Sequence, residues 1–136
     1  MGLNRHELRE RVFKLLFRVE FNEPEDMPEQ VRLFLADEDT GAVSDDATYI
    51  ERKYQAVLDR IPEIDKLIND NTTGWTTSRM GKVELTVLRL AVYEMRFDDD
   101  IPEGVAIDEA VELAKTFGQE NAGGFVNAIL TKVKNA

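Results

Sequence analysis

The sequence contains no cysteine and only one histidine among its 136 residues. The absence of cysteine excludes disulfide scaffolds, thiolate metal sites and cysteine nucleophiles. A single histidine excludes any site that needs two imidazoles. No stretch reaches the length of about 18 apolar residues that marks a membrane span, and residues 1–22 lack the apolar region of a signal peptide. We therefore expect a cytoplasmic protein that does not enter a membrane.

Basic residues are scarce, because 17 Lys and Arg stand against 27 Asp and Glu, which gives a net charge of −10. Such a charge disfavours nucleic acid, since phosphates repel it. The acids are concentrated in residues 23–70, which hold fourteen acids and five bases, whereas residues 1–22 hold three acids and five bases. The charge therefore allows RNA binding at the amino-terminal segment.

Helical periodicity runs through the chain, and no segment alternates as a strand does. The pattern predicts about seven helices in a single all-α domain that spans residues 1–136. The predicted helices are residues 3–22, a short one with Val31 and Leu35, one capped by Ser44 or Asp45 that runs through Ile61, one from Pro62 through Ile68, residues 78–97, one from Ile107 towards a C′ residue at Gly118, and one after Gly123-Gly124. Residues 37–46 are predicted to be an acidic loop and residues 69–77 a connection. Segment 78–97 is apolar nearly all round, which is typical of a buried central helix.

Three features invite a chemical interpretation. Asp98-Asp99-Asp100 can recruit Mg²⁺, but no other acid has a matching spacing, so a solvated loop is favoured. Glu94 lies on the apolar face of segment 78–97, where a carboxylate can act as an acid or base, but a structural pair with an arginine is favoured. His6 has no nucleophile in a recognisable motif. We predict no catalytic residue, no metal and no cofactor.

The first helix carries a pattern that suits RNA. His6, Phe13 and Phe17 form a stripe beside the apolar face, and Arg5 and Arg9 fall at its edge. Guanidinium groups pair with phosphates, and aromatic rings stack on the splayed bases of single-stranded RNA. The alternative is that Phe13 and Phe17 simply widen the core face.

Several ordered motifs occupy the carboxyl-terminal half. They are Trp75, Arg79-Met-Gly-Lys-Val-Glu, Leu88-Arg-Leu-Ala-Val-Tyr-Glu, the run from Ile101 to Lys115, Phe117-Gly and Phe125-Val-Asn. Together with a first helix that ends Leu-Phe-Arg-Val-Glu, they resemble the NusB family of bacterial transcription antitermination factors over nearly the whole chain. The resemblance implies two packed helical bundles in one domain, and no enzymatic activity.

The resemblance also implies partners. Members of the family bind the boxA element of ribosomal RNA leader transcripts, which is a short single-stranded signal. They do so with a small-subunit ribosomal protein, called NusE in this role, and the pair helps RNA polymerase to ignore terminators in ribosomal RNA operons. The sequence leaves the oligomeric state open, and a homodimer would mask the RNA surface.

The family's functional positions can be carried over residue by residue. The RNA-binding positions fall on Arg5, His6, Arg9, Phe17, Asn121 and Phe125, and the partner-binding position falls on Glu84. This chain has His6-Glu7 where many relatives have arginines, and Gly123-Gly124 where a basic residue is common. Each lost phosphate contact removes electrostatic attraction and lowers the salt dependence of binding. We therefore expect weak RNA binding by the protein alone.

Two alternatives remain open at this level. The first is a protein-interaction scaffold in which RNA contact is weak or lost, and which still forms a complex that Glu84→Lys disrupts. The second is a segment of an RNA-modifying enzyme, because some RNA methyltransferases carry a NusB-like segment. The chain contains no glycine-rich strand–helix motif of a cofactor-binding domain, which disfavours this second alternative.

Overall fold

The computed structural model describes residues 2–37 and 40–136. These residues form seven α-helices and no strand, which confirms the predicted all-α class. The helices are α1 (Arg5–Arg18), α2 (Met27–Ala36), α3 (Ser44–Asp59), α4 (Ile61–Asp70), α5 (Lys82–Phe97), α6 (Glu103–Phe117) and α7 (Ala122–Asn135). Among the helices described, none combines the length and the apolar character that a membrane crossing requires.

Internal contacts divide the chain into two compact units, Met1–Leu58 and Asp59–Ala136. The amino-terminal unit contains α1, α2 and nearly all of α3. Its buried apolar side chains are Val12, Phe13, Leu15, Leu16, Met27, Val31, Phe34, Ile50, Tyr54 and Val57. These side chains recur at helical spacing, so the three helices bury one face each.

Helix α1 is shorter than the predicted span of residues 3–22 because both of its ends are fixed locally. At the start, the Asn4 side chain accepts the Glu7 N–H at 2.8 Å, and the Glu7 carboxylate accepts the Asn4 N–H at 3.0 Å. This reciprocal pair is a capping box, and it sets the first helical residue at Arg5. At the other end, the Asn22 amide donates to the Arg18 carbonyl at 2.8 Å, and a 3₁₀ turn replaces the last α-helical residues.

The boundary between α3 and α4 also differs from the prediction. Arg60 has φ −109° and ψ 6° and separates the two helices, so Ile61 belongs to α4 and not to α3. Pro62 follows in the first turn of α4, where its missing N–H costs no hydrogen bond. Ser44 is the first residue of α3, so it does not cap that helix from outside. Residues 44–46 of the predicted acidic loop are therefore helical, and residues 38 and 39 of that loop lie outside the described residues.

Helix α5 is the centre of the carboxyl-terminal unit and packs against α4, α6 and α7. Nine of its sixteen residues are buried, including Glu94, which is 1% exposed. The predicted buried helix is thereby confirmed, although it begins at Lys82 and not at residue 78. The start moves because Asn69 accepts the Thr77 N–H at 2.8 Å and residues 77–79 form a separate 3₁₀ turn.

Two arginines of α5 tie it to its neighbours. Arg89 donates from Nε and Nη2 to the two carboxylate oxygens of Asp65 on α4, at 2.9 and 2.8 Å. Arg96 donates from Nη2 to the Val133 carbonyl of α7 at 2.6 Å. The paired geometry of Arg89 and Asp65 fixes direction as well as distance. These contacts fix α5 against α4 and α7.

Gly118 lies where α6 gives way to α7. The sequence predicts a C′ glycine of the kind that adopts a left-handed conformation, but φ is −97° and the backbone is extended. A Cβ atom here would lie 2.7 Å from both the Ala114 carbonyl oxygen and the Ala122 Cβ. Glycine is therefore required by the close approach of the two helix ends and not by its backbone angle.

Candidate functional site

The first turn of α1 presents two of the predicted RNA contacts. Arg5 and His6 are exposed there. Arg9, one turn further along, is only 7% exposed. A phosphate can therefore reach Arg5 and His6 directly, whereas Arg9 must leave its buried position to meet one.

Three phenylalanine rings contact one another in succession along α1 and the 3₁₀ turn that follows it. The rings of Phe13 and Phe17 stack at 5.9 Å between centroids, and Phe21 meets Phe17 edge-on at 5.0 Å. Phe13 is 2% exposed, so it widens the core face as the alternative interpretation held, while Phe17 is half-buried. Phe21 is 60% exposed and was missed by sequence reasoning, although its spacing of four residues from Phe17 was visible.

Arg5 and Phe17 lie far apart on the same helix. Phe17 comes twelve positions after Arg5 in the sequence, which corresponds to about 18 Å along a helix axis. The structure therefore does not gather them into a single contact point, and each must meet a different part of an extended ligand.

A cavity of about 630 Å³ in the carboxyl-terminal unit brings together the other three predicted residues, Glu84, Asn121 and Phe125. It is also lined by Trp75, Met80, Gly81, Gln119, Glu120 and Ala122. Its walls come from the connection after α4, the first turn of α5 and the start of α7. Residues that are distant in sequence therefore meet here because α5 and α7 pack together.

One wall of the cavity is aromatic. The rings of Trp75 and Phe125 meet edge to face, with centroids 6.0 Å apart and planes 78° apart. Arg79 lies 5.7 Å from the Trp75 ring centre and donates to the Gly74 carbonyl at 3.1 Å. Trp75 is 51% exposed. Sequence reasoning treated residues 69–77 as a connection, although a lone tryptophan in a polar segment is a signal for binding.

The cavity also has polar lining residues. Asn121 is the N-cap residue of α7, yet its side chain makes no capping hydrogen bond, so its amide is available to a ligand. The carboxylates of Glu84 and Glu120 also line the cavity, and they repel phosphate. The cavity therefore suits an uncharged ring or a group that donates hydrogen bonds.

The start of α7 bears on phosphate binding. From the sequence, Phe125 comes just after Gly123-Gly124 at a predicted helix start, where free N–H groups would favour phosphate. Helix α7 instead begins at Ala122, and the Phe125 N–H donates to the Asn121 carbonyl at 3.1 Å. That N–H is used within the helix, so Phe125 contributes its ring and not its backbone.

Neither of the other two candidate features joins these residues. Asp98 accepts the Asp100 N–H at 3.1 Å, which is a turn closure after α5. Glu94 is buried in the last turn of α5 and does not line the cavity. Within residues 2–37 and 40–136, no cluster of three potential His, Cys, Asp or Glu ligands is present.

Comparison with known proteins extends over most of the chain. The model of the NusB family matches residues 6–135. The transcription antitermination protein NusB of Agathobacter rectalis is 48% identical over 130 residues, which cover 96% of this chain and 98% of the relative. The protein of that name from Lachnoclostridium phytofermentans is 43% identical over 131 residues, with 96% and 98% covered.

Solved structures agree with these relatives. NusB of T. maritima superposes with a TM-score of 0.89 at 37% identity and covers 99% of this chain and 93% of its own. A crystal structure of antitermination factors NusB and NusE in complex with dsRNA gives a TM-score of 0.80 at 26% identity, with 96% of both chains covered. The chain therefore belongs to the NusB family of non-enzymatic transcription antitermination proteins.

Proposed function

We propose that the chain acts in transcription antitermination by binding boxA-type single-stranded RNA together with the ribosomal protein in the NusE role. The similar chain that was crystallised with NusE and double-stranded RNA supports both classes of partner. In this role the complex would act on RNA polymerase during transcription of ribosomal RNA. The oligomeric state stays open, and light scattering of the purified protein determines whether it forms a homodimer.

The observation that carries the proposal is the cavity with its Trp75–Phe125 wall. A planar base can stack on an aromatic ring there and exchange hydrogen bonds with the Asn121 amide. A base inside a duplex is already stacked and paired, so it cannot enter such a cavity without being extruded. The geometry therefore favours a single-stranded segment as the part of the RNA that is read.

The charges of the residues indicate that the cavity and the start of α1 contact different parts of the RNA. Glu84 and Glu120 make the cavity unsuitable for phosphate, whereas exposed Arg5 and His6 can meet phosphates at the start of α1. Arg5 alone adds little positive charge at this end of a chain of net charge −10. The protein alone should therefore bind RNA weakly, and a basic ribosomal protein should supply the missing attraction.

The test is a titration of labelled boxA RNA with wild type and with Phe125→Ala. Loss of one stacked base should cost about 1–3 kcal/mol of binding free energy. Tyr49→Ala is the matched control, because Tyr49 is 42% exposed on α3 and outside the cavity. Equal affinities for wild type and Phe125→Ala would contradict the proposed base site.

A second candidate function, the protein-interaction scaffold, is favoured by the burial of Arg9 and the acidic lining of the cavity. Glu84→Lys should disrupt the complex with the ribosomal protein, whereas Glu112→Lys, at an exposed position of α6, should leave it intact. The scaffold is the better account if the wild-type complex binds boxA RNA no more tightly than the ribosomal protein alone does.

A further inference from the structure

We infer that Asp46 is a positioning residue for RNA binding, because it ties the segment before α1 to the first turn of α3; the inference rests on the proposed function. Asp46 is 9% exposed, and its Oδ2 accepts the Leu3 N–H at 2.8 Å. The two residues are 43 positions apart in the sequence, so this contact is tertiary and not a local turn.

Gly2 also lies close to the Asp46 carboxylate, and we call this contact of residues 2 and 3 with Asp46 the tie. A Cβ atom on Gly2 would lie 3.1 and 3.2 Å from the two carboxylate oxygens of Asp46. The backbone of residues 2 and 3 therefore runs directly along this carboxylate. A segment that precedes a first helix is usually poorly ordered unless something holds it, and Asp46 provides that hold.

The tie reaches the RNA-binding residues through the helix cap. Leu3 is followed by Asn4, whose capping box with Glu7 starts α1, and Arg5 and His6 are the first two residues of that helix. Fixing the Leu3 backbone keeps Asn4 at the cap and the first turn closed. If the tie is lost, the first turn frays, and RNA must then restore its order on binding.

A second contact keeps the rest of α1 in place independently. Arg11 donates from Nε to the Thr40 carbonyl at 2.9 Å, and the Thr40 hydroxyl donates to the Phe34 carbonyl at 2.7 Å. Thr40 is itself 6% exposed. A change at Asp46 should therefore loosen the first turn without releasing the whole helix.

Removal of the Asp46 carboxylate has two opposite expected effects on RNA affinity, one through charge and one through positioning. Removing a carboxylate near the start of α1 lowers the repulsion of phosphate and should tighten RNA binding. Losing the hydrogen bond to Leu3 should weaken it. Asp45 is exposed on the same turn of α3, so Asp45→Ala measures the effect of charge alone.

The experiment measures boxA RNA affinity and amide hydrogen exchange at Leu3 and Asn4 in the full chain. Asp46→Ala should bind about three- to tenfold more weakly, which is the effect of one lost hydrogen bond, and Leu3 should exchange faster. Asp46→Asn keeps an acceptor oxygen, so it should match wild type or bind more tightly. Asp45→Ala should leave the exchange at Leu3 unchanged and should not weaken binding.

If Asp46→Ala does not fold, Leu3→Pro replaces it in the experiment, because proline lacks the N–H that donates to Asp46. Leu3→Ala keeps this N–H and is the control for Leu3→Pro. Unchanged or tighter RNA binding by Asp46→Ala overturns the inference, as does equal weakening by Asp46→Ala and Asp46→Asn. If wild type together with the ribosomal protein binds boxA RNA no more tightly than the ribosomal protein alone, while Leu3 exchange accelerates in Asp46→Ala, the proposed function fails and the structural contact between Asp46 and Leu3 stands.

Discussion

The ring of Trp75 meets the ring of Phe125 edge to face at a centroid distance of 6.0 Å, although 50 positions separate the two residues in the chain. Trp75 is the only tryptophan of the protein. A base that stacks in the cavity beside it changes the surroundings of a single, half-exposed indole. The tryptophan fluorescence of the protein therefore reports on this one place.

We predict that boxA RNA changes the tryptophan fluorescence of wild type in a saturable way. The expected midpoint equals the affinity that is measured with labelled RNA, because one binding event produces both signals. In Phe125→Ala the midpoint should move to higher RNA concentration by the same factor as the affinity. A fluorescence signal that stays constant while labelled RNA binds would place the RNA elsewhere on the protein.

Arg5 should contribute a phosphate contact at the start of α1. Each phosphate contact on single-stranded nucleic acid adds about 0.7 to the slope of log affinity against log salt. We predict that Arg5→Ala lowers this slope by about that amount. Arg52→Ala removes the same charge from an exposed position of α3 and should leave the slope as in wild type. Equal slopes for wild type and Arg5→Ala would remove Arg5 from the RNA contact.

The pair of Arg89 and Asp65 should stabilise the carboxyl-terminal unit. Their side chains are only 15% and 21% exposed, so Asp65→Ala removes two charged hydrogen bonds from a largely buried guanidinium. The expected loss in the free energy of unfolding is about 1.5–3 kcal/mol, measured by urea denaturation. Lys66→Ala breaks a neighbouring pair that is 76% and 56% exposed and should cost about 0.5 kcal/mol or less. Similar losses for both variants would contradict this assignment.

The close approach at Gly118 yields a prediction about packing. Gly118→Ala places a methyl group 2.7 Å from Ala114 and from Ala122, so the unfolding free energy should fall by about 1–3 kcal/mol. Gly104→Ala is the control, because that position in α6 has no atom within 4 Å of its Cβ site. There the substitution should raise the unfolding free energy by about 0.4–1 kcal/mol. A neutral Gly118→Ala would show that the two helix ends separate easily.

The fold was predictable from the sequence where hydrophobic pattern alone decides it. The apolar residues all round α5 predict a buried central helix, and the structure confirms this and buries Glu94 within it. The helix ends were less predictable, since they depend on specific contacts. The first turn of α1 is an exception, because Asn4 and Glu7 already have the spacing of a capping box in the sequence.

The candidate site was predictable only in part, because it depends on tertiary contacts. Helical spacing places Arg9 at the edge of the apolar face but does not show that the residue is 7% exposed. The contact between Trp75 and Phe125 joins the connection after α4 to helix α7, and no local pattern encodes such a tertiary contact. The tie between Asp46 and Leu3 spans 43 residues and was hidden for the same reason.

The most direct test of the central claim is a titration of labelled boxA RNA at two salt concentrations, with and without the ribosomal protein. We predict weak, strongly salt-dependent binding by the protein alone. With the ribosomal protein present, binding should be clearly tighter than by either protein separately, and Phe125→Ala should weaken it. A mixture that binds boxA RNA no more tightly than the ribosomal protein alone would contradict the account.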